Sequence, residues 1–169
     1  MGLLFEQARL EPVRSWACAC KHSFRPNGFG RQFAILQQFP DVPDAVWKIR
    51  RDVIKHFGLY GLPQEPVYRD LCSVITAGGA VHPHRDPNQG ALVHTRFNVM
   101  ISRPLRGGEP LIEGEPVEVP EGGIYRVDAG LRMHACAPVI GNRPRIILSF
   151  GFLCQAGHFS GLPFCTSTL

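Results

Sequence analysis

Between residues 40 and 58 the apolar positions recur with a helical period. Val46, Ile49, Val53, Ile54 and Phe57 fall on one side of AVWKIRRDVIKHF, and Lys48, Arg51, Asp52 and Lys55 take the other. Asp41 and Asp44, set among Pro40 and Pro43, suit a helix cap and the positive end of its dipole, and Gly58 suits its stop. The pattern predicts a helix near 43–57. RQFAILQQF, at 31–39, reads equally as a short strand or a helix, because so short an apolar run does not settle its period. The rest of 1–40 offers no clear element.

After Pro66 the texture changes to short apolar or alternating segments. VYRDLCSVITA, GAVHPHR, LVHTRFNVMI, EPLIEG, PVEVP, GIYRVDA, RMHACAPV and PRIILSFGF are eight candidate strands, with Gly, Pro and Asp turns between them. No helical pattern separates them, so a β-sandwich or jelly roll is expected rather than βαβ units. The predicted class is mainly β with flanking helices, in one domain. Residues 1–66 form an N-terminal flanking segment, 67–153 the β core, and 154–169 a tail without assignment.

Two of these strands alternate in an informative way. HTRFNVMI puts Thr95, Phe97, Val99 and Ile101 on one face and His94, Arg96, Asn98 and Met100 on the other. RIILSFGF puts Ile146, Leu148, Phe150 and Phe152 on one face and Arg145, Ile147, Ser149 and Gly151 on the other. Polar groups on the second face meet either water or a ligand in a lined cavity, and alternation alone leaves both open.

Composition narrows the class. The chain has 169 residues, 44% of them hydrophobic and 19% charged, enough for one real core. No stretch approaches the ~18 apolar residues of a membrane span. MGLLFEQARLEP lacks a basic n-region, and Glu6 stands where a myristoylation signal prefers Ser or Thr, so a cytoplasmic protein is expected. The net charge of +4 is dispersed; Lys48–Arg51 reads as a solvated helix face, and nucleic acid is not the expected partner. The six cysteines are expected as free thiols, and Cys18-x-Cys20-x-His22 lacks the spacing and second pair of a zinc site.

The chemistry concentrates in GGAVHPHRDPN, residues 78–88. His84 and Asp86, two positions apart on an extended segment, project to one side and can grip a metal, but a third ligand is needed. His134, in a separate predicted strand, supplies it. Two imidazoles and one carboxylate suit Fe(II) and leave open positions for co-substrate and dioxygen. Arg145 opens the last apolar strand, where a guanidinium in a cavity would take a carboxylate bidentately. Arg143 is its rival, two positions earlier across Pro144.

In this order of features the sequence resembles the 2-oxoglutarate/Fe(II)-dependent dioxygenase superfamily, whose fold is a double-stranded β-helix (a jelly-roll, cupin-like barrel). The likeness covers about residues 67–153. It implies His84, Asp86 and His134 as metal ligands and Arg145 as anchor for the far carboxylate of 2-oxoglutarate. Ser149 is implied as a second 2-oxoglutarate contact, although Arg145-Ile-Ile-Leu-Ser149 is looser than the family's frequent Arg-x-Ser. Asn98, on the polar strand face with Arg96, is a candidate for touching the other end of 2-oxoglutarate or the substrate. His82 and Arg96 are placed beside the metal or in the substrate pocket. His94 is expected to be an exposed strand residue, with the pocket as its other option. The implied reaction is hydroxylation of a small metabolite, amino acid or peptide side chain, with dioxygen consumed, succinate and carbon dioxide released, and ascorbate sustaining activity. The alternatives are a cupin-like metal module that binds a small ligand without redox turnover, and, more remotely, a nucleic-acid demethylase. A cupin pairing of His82 with His84 wants Glu a few residues later, where this chain has Asn88 and Gln89.

Overall fold

The computed structural model describes residues 4–28 and 30–161, and the backbone of 165–166. In chain order the elements are α1 (Gln7–Cys20), β1 (Arg25–Pro26), β2 (Arg31–Ile35), α2 (Asp44–Phe57), β3 (Asp70–Ile75), β4 (Val81–His84), β5 (Val93–Ser102), β6 (Arg106–Gly107), β7 (Pro110–Ile112), β8 (Glu115–Pro116), β9 (Ile124–Val127), β10 (His134–Cys136), β11 (Val139–Ile140), β12 (Arg145–Cys154) and β13 (Cys165–Thr166). A seven-stranded sheet has the order β1-β2-β3-β12-β5-β9-β13, and a four-stranded sheet has the order β4-β10-β7-β8; β11 and β6 form a separate pair. The pairings are antiparallel, and strands distant in sequence are repeatedly neighbours, as when β12 lies between β3 and β5. Mixing near and distant strands across two facing sheets is the winding of a double-stranded β-helix.

The strands β5 and β12 are its middle. Each is ten residues long and buried throughout. Phe97, Val99, Ile101, Ile146, Leu148 and Phe150 pack in one apolar cluster with Leu10, Val13 and Ala17 of α1 and Val46, Ile49 and Val53 of α2. The helices therefore cover one face of the large sheet. On the other face Arg96, Asn98, Arg145, Ile147 and Ser149 line a cavity closed by residues of the small sheet. Alternation had left water or a cavity open for those polar groups; the second sheet decides it.

Several local outcomes differ from the expectation. Helix α1 carries no sequence signal strong enough to find it, because Pro12 lies within it and reads as a break. Its buried Leu10, Val13 and Ala17 nevertheless keep a helical spacing across the proline. Helix α2 runs as expected and ends at Gly58, which takes φ 63°, but no aspartate caps it: Pro43 holds the cap position and Asp44 lies inside the first turn. RQFAILQQF divides, with β2 followed by a short 3-10 turn at Leu36–Gln38. PVEVP forms little strand beyond Glu115–Pro116; Val119 is buried against Met100, Tyr125 and Ile147 instead. RMHACAPV splits into β10 and β11 around Pro138, which has no N–H for a ladder. Within the basic cluster, Arg50 is only partly solvated: its Nε donates to buried Asp70 at 2.6 Å. Part of the unassigned tail, β13, pairs with β9.

Phe97 has no exposed surface and meets the rings of Phe57, Phe159 and Phe152 at centroid distances of 4.8, 5.3 and 6.2 Å. Phe97→Ala is expected to cost about 3–5 kcal/mol in urea unfolding. Leu105→Ala, at an exposed position, is expected to stay within about 0.5 kcal/mol of wild type.

Candidate functional site

The two histidines are brought together by backbone pairing. In the antiparallel β4–β10 ladder His134 stands directly opposite His84, and their ring centroids lie 4.2 Å apart. Asp86 follows β4 by two residues, and its N–H donates to the Ala129 carbonyl at 2.8 Å, which fixes the chain as it leaves the strand. One ligand atom from each of His84, Asp86 and His134 lies within 4.8 Å of the others, a spacing that a single metal ion could bridge. The His84 Nε2 to Asp86 Oδ1 distance is 3.6 Å.

Both imidazoles are preset. Nδ1–H of His84 donates to the His82 carbonyl at 2.8 Å, and Nδ1–H of His134 to the Arg132 carbonyl at 3.1 Å. Each Nε2 lone pair is thereby free for a metal, since the tautomer of a ligating histidine is set by the bond its other nitrogen makes. Burial also pushes the His134 pKa below its ordinary value, favouring the neutral ligand form. Two neutral imidazoles and a carboxylate, with no thiolate among them, fit a non-haem Fe(II) centre. Nearby Cys136 lines the cavity but stays outside the trio, and burial pushes its thiol up, away from the thiolate a metal needs.

The second oxygen of Asp86 is held from behind. Arg96 Nε donates to Oδ2 at 3.4 Å, and His94 Nδ1 lies 3.5 Å from it. Arg96 in turn reaches Glu65 Oε1 at 3.5 Å, Ser149 Oγ at 3.3 Å and the Arg69 carbonyl at 3.4 Å. Glu65 is 3% exposed and accepts the backbone N–H groups of Val67, Tyr68 and Arg69. Gly151 makes room for it, because a Cβ there would come 2.5 Å from the Glu65 Cγ. Arg96 thus bridges two carboxylates while leaving Asp86 Oδ1 available. His94 corrects the expectation of exposure. It is 2% exposed, and burial, then Arg96, pushes its pKa down to about 4.

Across the same cavity Arg145 is 2% exposed, and its Nη2 donates to the Tyr125 hydroxyl at 2.9 Å. Its buried Nε has no hydrogen-bond partner. Burial works against the charge, and neighbouring Tyr125 and Cys136 outweigh it, so the pKa ends above its ordinary value. A fully buried cation facing a cavity with an unpaired donor calls for an anion. Arg143, the rival, lies at the surface and pairs with Glu121. Asn98 and Ser149 are buried and line the cavity. The His82 side chain is exposed and is not among the residues lining the cavity, and its carbonyl accepts from His84 Nδ1–H. Asn88 binds backbone at His94 and Gly130, so no carboxylate stands where a cupin would put one.

Sequence reasoning missed Tyr125, Glu65 and Arg31. Tyr125 had a signal, since GIYRVDA alternates and Tyr125 pairs with Asn98 across the sheet. Glu65 had none, lying in an irregular stretch before Pro66. Arg31 lines the cavity from β2, in a segment whose period was undecided.

No family model matches the chain, and no curated protein matches it. Solved structures do. A prolyl-4-hydroxylase from Pseudomonas putida aligns over 93% of this chain and 91% of its own at 15% identity, with a TM-score of 0.61. HygX from Streptomyces hygroscopicus, solved with nickel and 2-oxoglutarate bound, aligns over 92% and 82% at 10% identity and a TM-score of 0.67. A prolyl hydroxylase from Trichoplax adhaerens, in complex with a hypoxia inducible factor peptide, aligns over 96% and 86% at 10% identity and a TM-score of 0.64.

Substituting Arg96 by Met is expected to lower affinity for Mn(II) or Zn(II) roughly 10–100-fold in calorimetric titration, by releasing Asp86. His134→Ala is expected to abolish binding at the same site. The chain has the double-stranded β-helix fold that these three structures share.

Proposed function

We propose that the protein is a non-haem Fe(II)- and 2-oxoglutarate-dependent oxygenase that hydroxylates a carbon of a small-molecule or peptide substrate. One observation carries the reading: a cavity of about 250 Å³ has the His84–Asp86–His134 trio among its lining and a buried, anion-seeking guanidinium, Arg145, on the same wall system. That volume falls below the ~300–1,000 Å³ of drug-sized pockets and suits a compact diacid. The bound nickel and 2-oxoglutarate of HygX support the same pairing of metal and co-substrate.

Within this reading His84 Nε2, His134 Nε2 and Asp86 Oδ1 hold the metal, and the carbonyls of His82 and Arg132 keep both rings in the ligating tautomer. Arg145, with Tyr125 hydrogen-bonded beside it, would take the far carboxylate of 2-oxoglutarate. Asn98 and Ser149 line the space between. When bound, Fe(II) and 2-oxoglutarate supply activation of dioxygen for oxidation of a substrate C–H bond, with succinate and carbon dioxide released. Leu71, Val127 and Ile147 give the cavity an apolar lining that limits water near the reacting atoms. Ascorbate belongs to the assay as the reductant that sustains such enzymes. No helix of the described residues is long and apolar enough to cross a membrane. A cytoplasmic location remains part of the proposal.

A cupin-like module without redox turnover has less support, because Asn88 stands where its carboxylate would and Arg145 would have no anion to hold. Nucleic-acid demethylation draws no support from the dispersed charge.

Anaerobic wild type with Fe(II) and 2-oxoglutarate is expected to develop a visible metal-to-ligand charge-transfer band, and His84→Ala to lack it. Arg145→Gln is expected to weaken 2-oxoglutarate by about 30-fold or more, the scale of losing a buried charge-assisted pair. A wild type without the band, or Arg145→Gln with unchanged 2-oxoglutarate affinity, contradicts the assignment.

A further inference from the structure

Arg31 is the cavity's unexplained cation. In the large sheet Arg31 stands opposite Ile75, and Ile75 opposite Arg145, so the two arginines occupy one row two strands apart. At the ordinary interstrand spacing their Cα atoms are separated by about 9–10 Å. Both side chains line the same cavity. The Arg31 guanidinium is fixed, with Nε donating to Ser73 Oγ at 3.0 Å and its carbon 5.6 Å from the centroid of the Phe33 ring. Among the described residues it has no carboxylate partner. Burial, then the nearby charges of Arg145 and Arg96, lower its pKa, which marks three guanidinium groups sharing one space.

Charge balance gives this a consequence. Three arginines line the cavity, against Asp86 in its wall and Glu65 behind Arg96. A divalent metal and a 2-oxoglutarate dianion offset each other and leave one positive charge. The two carboxylates of 2-oxoglutarate are accounted for at the metal and at Arg145. Arg31 is left facing the cavity with its Nη groups unused by the described residues.

Resting on the oxygenase reading, we propose that Arg31 is a specificity residue that holds an anionic group of the substrate, a carboxylate or a phosphate, beside the bound co-substrate. The hairpin that carries it is anchored for that task. Arg31 N–H donates to the Gly28 carbonyl at 2.9 Å, and Thr76 N–H to the Gly30 carbonyl at 3.2 Å, tying the turn to the end of β3. A neutral substrate would leave a half-buried guanidinium without a counter-charge. An acid would pair with it bidentately.

The test uses the full chain loaded with Zn(II) and 2-oxoglutarate, which holds the site without turnover. N-acetylglycine, N-acetylglycinamide and inorganic phosphate are titrated calorimetrically. Wild type is expected to bind N-acetylglycine or phosphate at least tenfold more tightly than the amide, and the stronger of the two names the anion class. Arg31→Gln is expected to abolish that preference while 2-oxoglutarate affinity stays within twofold; Arg31→Lys is expected to keep part of it. Wild type that binds neither N-acetylglycine nor phosphate more tightly than the amide overturns the proposal. So does a tenfold loss of 2-oxoglutarate affinity in Arg31→Gln, which would make Arg31 part of the co-substrate clamp. If wild type binds no 2-oxoglutarate, the oxygenase reading fails instead. The comparison of wild type with Arg31→Gln for acid against amide, repeated without metal or co-substrate, then still decides whether Arg31 selects an anion. Matching thermal melts establish that the variants are folded.

Discussion

The site depends on one backbone pairing, the antiparallel ladder between β4 and β10 that sets His134 across from His84. Opposed residues on such a ladder have side chains on the same face, so two imidazoles fifty positions apart in sequence converge through the pairing of their own two strands. Asp86 joins them because it leaves the strand under a hydrogen bond to Ala129. The three donors need no further machinery to meet. What needs machinery is their protonation and aim, and the carbonyls of His82 and Arg132 and the guanidinium of Arg96 provide it.

A cavity with this much positive charge in its walls is held open by the large sheet. The strands β5 and β12 bury both faces, one against α1 and α2 and one against the cavity. Apolar packing on the helix side gives the rigidity, and buried polar groups on the other side give the chemistry. Glu65 is central to that compromise. It ties the 65–69 turn to Arg96, which ties Asp86, so a loop outside the sheets helps to position the carboxylate just beyond β4.

Much of this was readable from the chain because it rests on local periodicity. The two-residue step from His84 to Asp86, the alternation of RIILSFGF and the helical stripe ending at Phe57 all follow from geometry within a few residues. The unread parts depend on contacts made at a distance. His94 is polar, on an amphipathic strand, and looks exposed until Glu65 and Asp86 arrive on either side of it. Helix α1 survives Pro12 because the sheet beneath buries Leu10, Val13 and Ala17, a tertiary override that no propensity scale contains. Arg31 lies in a run too short to show its period, so neither its strand nor its direction was available.

The most direct measurement is diffraction at the manganese edge from crystals grown anaerobically with Mn(II) and 2-oxoglutarate. The account predicts one anomalous peak among His84 Nε2, His134 Nε2 and Asp86 Oδ1, with the far carboxylate of 2-oxoglutarate against Arg145 and Tyr125. Manganese bound elsewhere, or 2-oxoglutarate lying with neither carboxylate at Arg145, would contradict it.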